Sequence, residues 1–208
     1  MEDFVVAGAA ALIGLAVASG FIYLKRNYEK KLLADFCQKT GLSNLDSSST
    51  GLVNFTGHVN GKKITYRQNI GSNHSKRSCL VTFNGAALAQ NVTSETDKRI
   101  PLLVVGRRKI GLIDLAGKVN GTELSLGSPD FEKEFVVAGA SSSLARALLQ
   151  EDVIEEFCEL SGNLYFDVSI KIGSIEYDDR GRSIDGDYFK QVIAILCLLA
   201  DHAEAIDK

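Results

Sequence analysis

Residues 4 to 24 read FVVAGAAALIGLAVASGFIYL, a run without a single charged side chain. A bilayer core of about 30 Å needs about 20 apolar residues at the α-helical rise, and a helix satisfies its own backbone in lipid. The run predicts a transmembrane anchor over residues 1–25 and a folded body over 26–208. Glu2 and Asp3 precede the span, and Lys25, Arg26, Lys30 and Lys31 follow it. Lys and Arg favour the cytoplasmic side, so the bias predicts a single-pass protein of the cell membrane. Its N-terminus is expected outside and its main domain in the cytoplasm. Phe21 and Tyr23 fall where aromatic rings favour the interface. A secretory signal would instead begin basic, carry a shorter apolar core and end at a small-residue cleavage site. Within the span, Ala10, Gly14 and Ala18 form a small-xxx-small row. Such a row allows close approach of two helices and hence a homo-oligomer, although small residues are also common in spans that pair with nothing.

The remaining residues are enough for one domain with a proper core, or two small ones. The net charge is −3 with no basic stripe, which argues against nucleic acid as a partner. The four cysteines (Cys37, Cys79, Cys158 and Cys197) are far apart and form no CxxC pair. That spacing fits thiols in a reducing compartment better than a disulfide framework or a zinc site.

Periodicity then divides the body. Residues 26–40 show helical spacing of Tyr28, Leu32, Leu33, Phe36 and Cys37, with Gly41 as the stop. Residues 43–50 (SNLDSSST) read as a polar loop. Residues 52–68 read as a hairpin around Asn60-Gly61, the strongest short turn signal. Strands are expected at 79–83 and 102–105, and a strand or helical turn at 110–115. Residues 131–138 alternate Phe131, Phe135 and Val137 against Glu132 and Glu134, which predicts one extended strand. Helices are expected from Ser141 to Leu149 and from Asp152 to Leu160, the second with Ile154, Phe157 and Cys158 inward. A second hairpin is expected at 164–177. The helix 188–206 is apolar on one face, but its charged ends leave too short a run to cross a bilayer. The fold class expected is α+β: an antiparallel sheet with packed helices behind a transmembrane helix.

FCQKTG at 36–41 resembles FCELSG at 157–162, and each precedes a hairpin. Phe55, Val59, Ile64 and Tyr66 match Phe166, Ile170, Ile175 and Tyr177 at a single offset, so a pseudo-repeat of helix plus hairpin is one reading and chance is the other.

No phosphate loop, dinucleotide fingerprint, catalytic triad order or zinc spacing appears, and no cofactor or metal is implied. His58, His74 and His202 lack partners at ligand spacing. Ser141, Ser142 and Ser143 suit a helix cap. Asp178, Asp179, Asp185 and Asp187 crowd a Gly-containing stretch that a cation or small ligand would use, though the spacing is not an EF-hand and Arg180 and Arg182 interrupt it. Arg107, Arg108 and Lys109 form a basic cluster suited either to a solvated turn or to anionic lipid.

The segment LSLGSPDFEKEFVVAGASSSLARALL, with Phe131, Phe135, Val137, Ala147, Leu148 and Leu149, resembles a pattern in uncharacterised prokaryotic membrane-anchored proteins. There an F-[DE]-x-x-F-x-V strand precedes a helix with A-x-x-L-L, a further helix and a hairpin. The resemblance spans residues 124–177. It implies an α+β domain on a membrane anchor and carries over no catalytic residue.

The expected function is a binding or scaffolding module at the cytoplasmic membrane face. Its partners would be the lipid bilayer through residues 4–24 and an unidentified membrane or cytoplasmic protein. The alternative is a membrane-tethered enzyme or small-ligand sensor, with a site built from the Asp178–Asp187 stretch and Arg107–Lys109.

Overall fold

Asn60-Gly61 sets the first hairpin. Asn60 has φ 49° and Gly61 φ 76°, the left-handed pair that a two-residue turn needs to match strand twist. On either side run β2 (Leu52–Val59) and β3 (Lys62–Asn69), paired without irregularity from Val59↔Lys62 to Leu52↔Asn69. The computed structural model describes residues 27–28, 30–47, 52–69, 76–89, 100–108, 117–119, 121–160, 166–179 and 185–206, with Tyr23 and Leu115. The expected span and its Ala10, Gly14 and Ala18 row therefore lie outside the described residues, as do Lys25, Arg26, His74 and Lys109. Among the described residues no helix is long and apolar enough to cross a membrane.

Among the described residues nine strands form one antiparallel sheet in the order β1-β2-β3-β4-β9-β8-β5-β7-β6. The others are β1 (Ser43–Ser47), β4 (Arg77–Thr82), β5 (Leu103–Arg107), β6 (Thr122–Leu124), β7 (Phe135–Gly139), β8 (Phe166–Lys171) and β9 (Ser174–Asp179). The helices are α1 (30–40), α2 (Ala86–Ala89), α3 (Pro129–Glu134), α4 (Ser142–Leu148), α5 (Glu151–Glu159) and α6 (Gly186–Ala205). The α+β class with an antiparallel sheet and packed helices is thus observed.

One core holds the body together, between one face of the sheet and the helices. Phe36 of α1, Phe157 of α5, and Phe189, Leu196 and Leu199 of α6 are buried against Phe55, Tyr66, Val81, Tyr177, Val168 and Val105 of the strands. Rings are in contact across the sheet, from Phe36–Phe55 (4.5 Å) through Tyr66–Phe189 (4.6 Å) to Phe131–Phe135 (4.7 Å). Such pairs add to the area they bury. The final helix lies in this core, as its charged ends led us to expect.

The outer face divides in two. Over β5 and β7, Leu115 and Val119 cover Val104, Val136 and Ala138 as a second apolar cluster. Gly106 permits this, because a Cβ there would lie 2.8 Å from the Leu115 side chain. Over β2, β3 and β4 the outer face is exposed at His58, Lys63, Arg67 and Thr82.

Several sequence expectations are corrected. Residues 43–47 are not loop but the edge strand β1, which pairs with β2 across an irregularity between Asn44 and Asp46. A short edge strand needs only its neighbour's backbone, so its polar side chains did not announce it. The expected single strand 131–138 is a helix followed by a strand, with the break at Glu134/Phe135. Pro129 at the start of α3 is a helix-initiation signal that the alternation masked. Phe131 and Phe135 share a side there because they lie one helical turn apart. Cys158 points outward and is exposed; Val153 and Phe157 form the inner side of α5. The echo between the two hairpins keeps the buried face but not the register. Phe55 pairs with Tyr66, whereas Phe166 pairs with Asp179 and Tyr177 with Val168. The second turn, Ile172-Gly173, falls one residue later than the echo requires.

Candidate functional site

The chemistry-bearing side chains gather at the two ends of α6 and on the outer face of the sheet. At the N-terminal end Asp185 caps α6, its Oδ1 accepting from the backbone N–H of Asp187 and of Tyr188 at 3.1 Å. This cap fixes Tyr188 and Phe189 over the strand row Gln68, Arg77, Asp179. Arg77 donates to Asp179 through Nε (2.5 Å) and Nη2 (2.6 Å), a buried two-pronged pair. Tyr177 donates its hydroxyl to Asp179 Oδ2 at 2.6 Å, which leaves the Tyr188 hydroxyl, 2.6 Å away, as donor to Tyr177. Tyr66 donates to Gln68 Oε1 at 2.6 Å. The Arg77 guanidinium lies 5.0 Å from the Phe189 ring centre. Burial works against the Arg77 charge and is the largest single influence, but the Asp179 hydrogen bonds together with the charge interactions of Asp179, Tyr66 and Tyr177 outweigh it and hold the guanidinium above its ordinary value. Burial pushes the Tyr66 and Tyr177 phenols up, and Tyr188 up to about 12.

Arg107 closes the same row from β5. It donates to Glu134 and, at 2.7 Å, to the Leu160 carbonyl, and it lies 4.4 Å from the Phe135 ring centre. Gln68 Nε2 and Arg107 Nε have no hydrogen-bond partner among the described residues. At the other end of α6, Lys62 bridges Asp201 (3.1 Å) and Glu204, and Glu204 accepts from the Asn84 N–H at 2.9 Å. His202 donates from Nδ1 to the Leu148 carbonyl at 3.1 Å, and its Nε2 lies 3.2 Å from Asp152 Oδ2. These contacts tie α6 to α4, α5 and the first hairpin.

The acidic residues expected to share one loop are distributed. Asp178 and Asp179 belong to β9 and point to opposite faces. Asp179 is in the buried network. Asp178 faces outward, 3.0 Å from Lys76, and its carboxyl is raised mainly by burial. Asp185 serves as the cap, and exposed Asp187 pairs with Lys39 at 2.7 Å. The basic cluster is distributed as well: Arg107 is buried, while Arg108 donates to the Glu132 carbonyl (2.9 Å) and to Glu123 (3.0 Å). Ser141 accepts from the Leu144 N–H at 3.2 Å as a helix cap. Lys30 and Lys31 are exposed on α1. Among the described residues no group of three or more His, Cys, Asp or Glu is placed to hold a metal ion.

The outer face was missed from sequence. On β8 and β9, Asp167 and Asp178 are cross-strand partners and Glu176 lies two residues along. Lys118 (2.7 Å), Lys76 (3.0 Å) and Lys171 (3.1 Å) each neutralise one of the three. The neighbouring surface of β2–β4 carries basic groups instead. The alternation of each strand contained this division, but which strands were neighbours did not follow from spacing. No family model matches the chain, and neither a curated protein nor a solved structure matches it.

Proposed function

We propose that the chain is a single-pass membrane protein whose cytoplasmic α+β domain binds a protein partner and holds it at the membrane. The observation that carries this reading is the half-open sheet. Helices occupy one face, and Leu115 and Val119 cover β5 and β7, while His58, Lys63, Arg67 and Thr82 stand exposed on the outer face of β2–β4. A broad sheet surface held by a rigid core is suited to a partner's surface. The uncharged run 4–24 supplies the tether, and the Lys/Arg bias after it sets the body in the cytoplasm. A helix precedes a hairpin in both α1 to β3, with β1 inserted, and α5 to β9, and this order supports a pseudo-repeat in unit order.

Cross-linking and co-purification of the full-length protein from native membranes, read by mass spectrometry, tests this function. A reproducible protein cross-linked to residues of the body is the expected result. Recovery of self-cross-links alone contradicts it and leaves a homo-oligomer.

A further inference from the structure

The outward positions of β2, β3 and β4 include no acidic residue. His58, Lys63 and Arg67 are exposed there. Between them lie the half-buried Thr65 and Leu80. Among the described residues neither Lys63 nor Arg67 forms an ion pair with a carboxylate. The carboxylates of β8 and β9 are themselves occupied by Lys76, Lys118 and Lys171, and on the other side Asp46 of β1 stands in register with Asn54. The patch also runs against the chain's net charge of −3.

We propose that this surface docks an acidic segment of a partner protein, laid across β2–β4 with its carboxylates at Lys63 and Arg67. The inference rests on the binding-module reading and names the chemistry of the partner. A basic patch on an otherwise acidic protein draws an acidic segment to one place and repels a basic one, so it sets both encounter and register. Thr65 and Leu80 offer a hydroxyl and a small apolar contact between the charges. A bilayer is the other large anionic surface, and the lipid composition of the nanodiscs tells it from a protein partner. Helix α1, which follows the tether, packs through Phe36 on the opposite face.

The test uses the full chain in neutral-lipid nanodiscs and a short fluorescent peptide of alternating Glu and Thr, followed by anisotropy. Binding is expected to weaken at least about tenfold in the Lys63→Glu/Arg67→Glu variant and as salt is raised, because exposed charge pairs are screened. Lys63→Arg is expected to retain it. Both sites are exposed, and an unchanged melting temperature confirms the variant's fold. The proposal is overturned if the peptide does not bind, if charge reversal leaves its affinity unchanged, or if the patch responds only to nanodiscs containing anionic lipid. Cross-linking of the charge-reversed chain in native membranes separates the two readings. A partner still recovered with it leaves the binding module standing and removes the basic patch. No partner with either chain removes both.

Discussion

Arg77 and Asp179 show what a residue can do in this core. Their side chains are 5 % and 0 % exposed, so each charge depends on the other for its solvation. Truncating one partner of such a pair removes the buried counter-charge of the other, at a cost of about 3–5 kcal/mol. Asp179→Ala is therefore expected to lower stability by that amount in urea titration. Replacing both partners by apolar residues is expected to recover much of the loss, which a double-mutant cycle measures. The phenols around the pair give a pH signature. Burial raises Tyr66, Tyr177 and Tyr188, the last to about 12, and burial also raises Cys197 to about 11. A folded-state value above the unfolded one means stability is complete below the unfolded value, near 10 for tyrosine. It is lost as pH rises through the folded value. The domain is expected to hold Tyr66, Tyr177 and Tyr188 protonated past pH 10 and to unfold, with a cooperative rise in tyrosinate absorbance, toward pH 12. Tyr188→Phe is expected to reduce that alkaline loss.

At the scale of elements, α3 illustrates how a local signal was legible and yet misread. Phe131, Phe135 and Val137 alternate like a strand, but Ser128-Pro129-Asp130 is a helix start and Glu132 completes it. Glu132 Oε1 accepts from Ser125 Oγ (2.9 Å), Leu126 N–H (2.6 Å) and Gly127 N–H (2.9 Å). The Gly127 backbone bond is the largest influence holding its carboxyl below the ordinary range. A lowered carboxylate value gives stability that is present above the unfolded value and lost as pH falls through the folded one. Glu132→Gln is expected to speed amide exchange at Leu126 and Gly127 several-fold near neutral pH and to leave the distant Phe189 amide unchanged. Gly121 makes a second element-scale case. A Cβ there would lie 2.3 Å from the Gly139 carbonyl, which is backbone and has little room to move. Gly121→Ala is expected to destabilise the β6–β7 edge by about 1–3 kcal/mol, measured by thermal unfolding. The first hairpin was readable because Asn60-Gly61 prescribes its own turn. The final helix was readable because charges bracket its apolar face. β1 and β6 were not, because edge strands are specified by the strand beside them.

At the scale of the molecule, no local pattern could say that β4 and β9 are neighbours. That pairing joins the two hairpins and brings Arg77 to Asp179, residues more than a hundred positions apart. It also turns an acidic stretch into two unlike places: Asp179 is buried as part of the network, while Asp178 faces outward among lysines. The basic surface of β2–β4 arises from the same order, since three strands that each alternate unremarkably are placed side by side. A core of this extent makes the body rigid, and the open half of its outer face is what such a body offers to a partner when tethered. Carbonate extraction with protease protection of the full chain in native membrane vesicles tests the tether. The chain is expected to stay with the membrane in alkaline carbonate, and the body to be digested only when the cytoplasmic face is accessible. Release by carbonate, or a body protected in cytoplasmic-side-out vesicles, would contradict it.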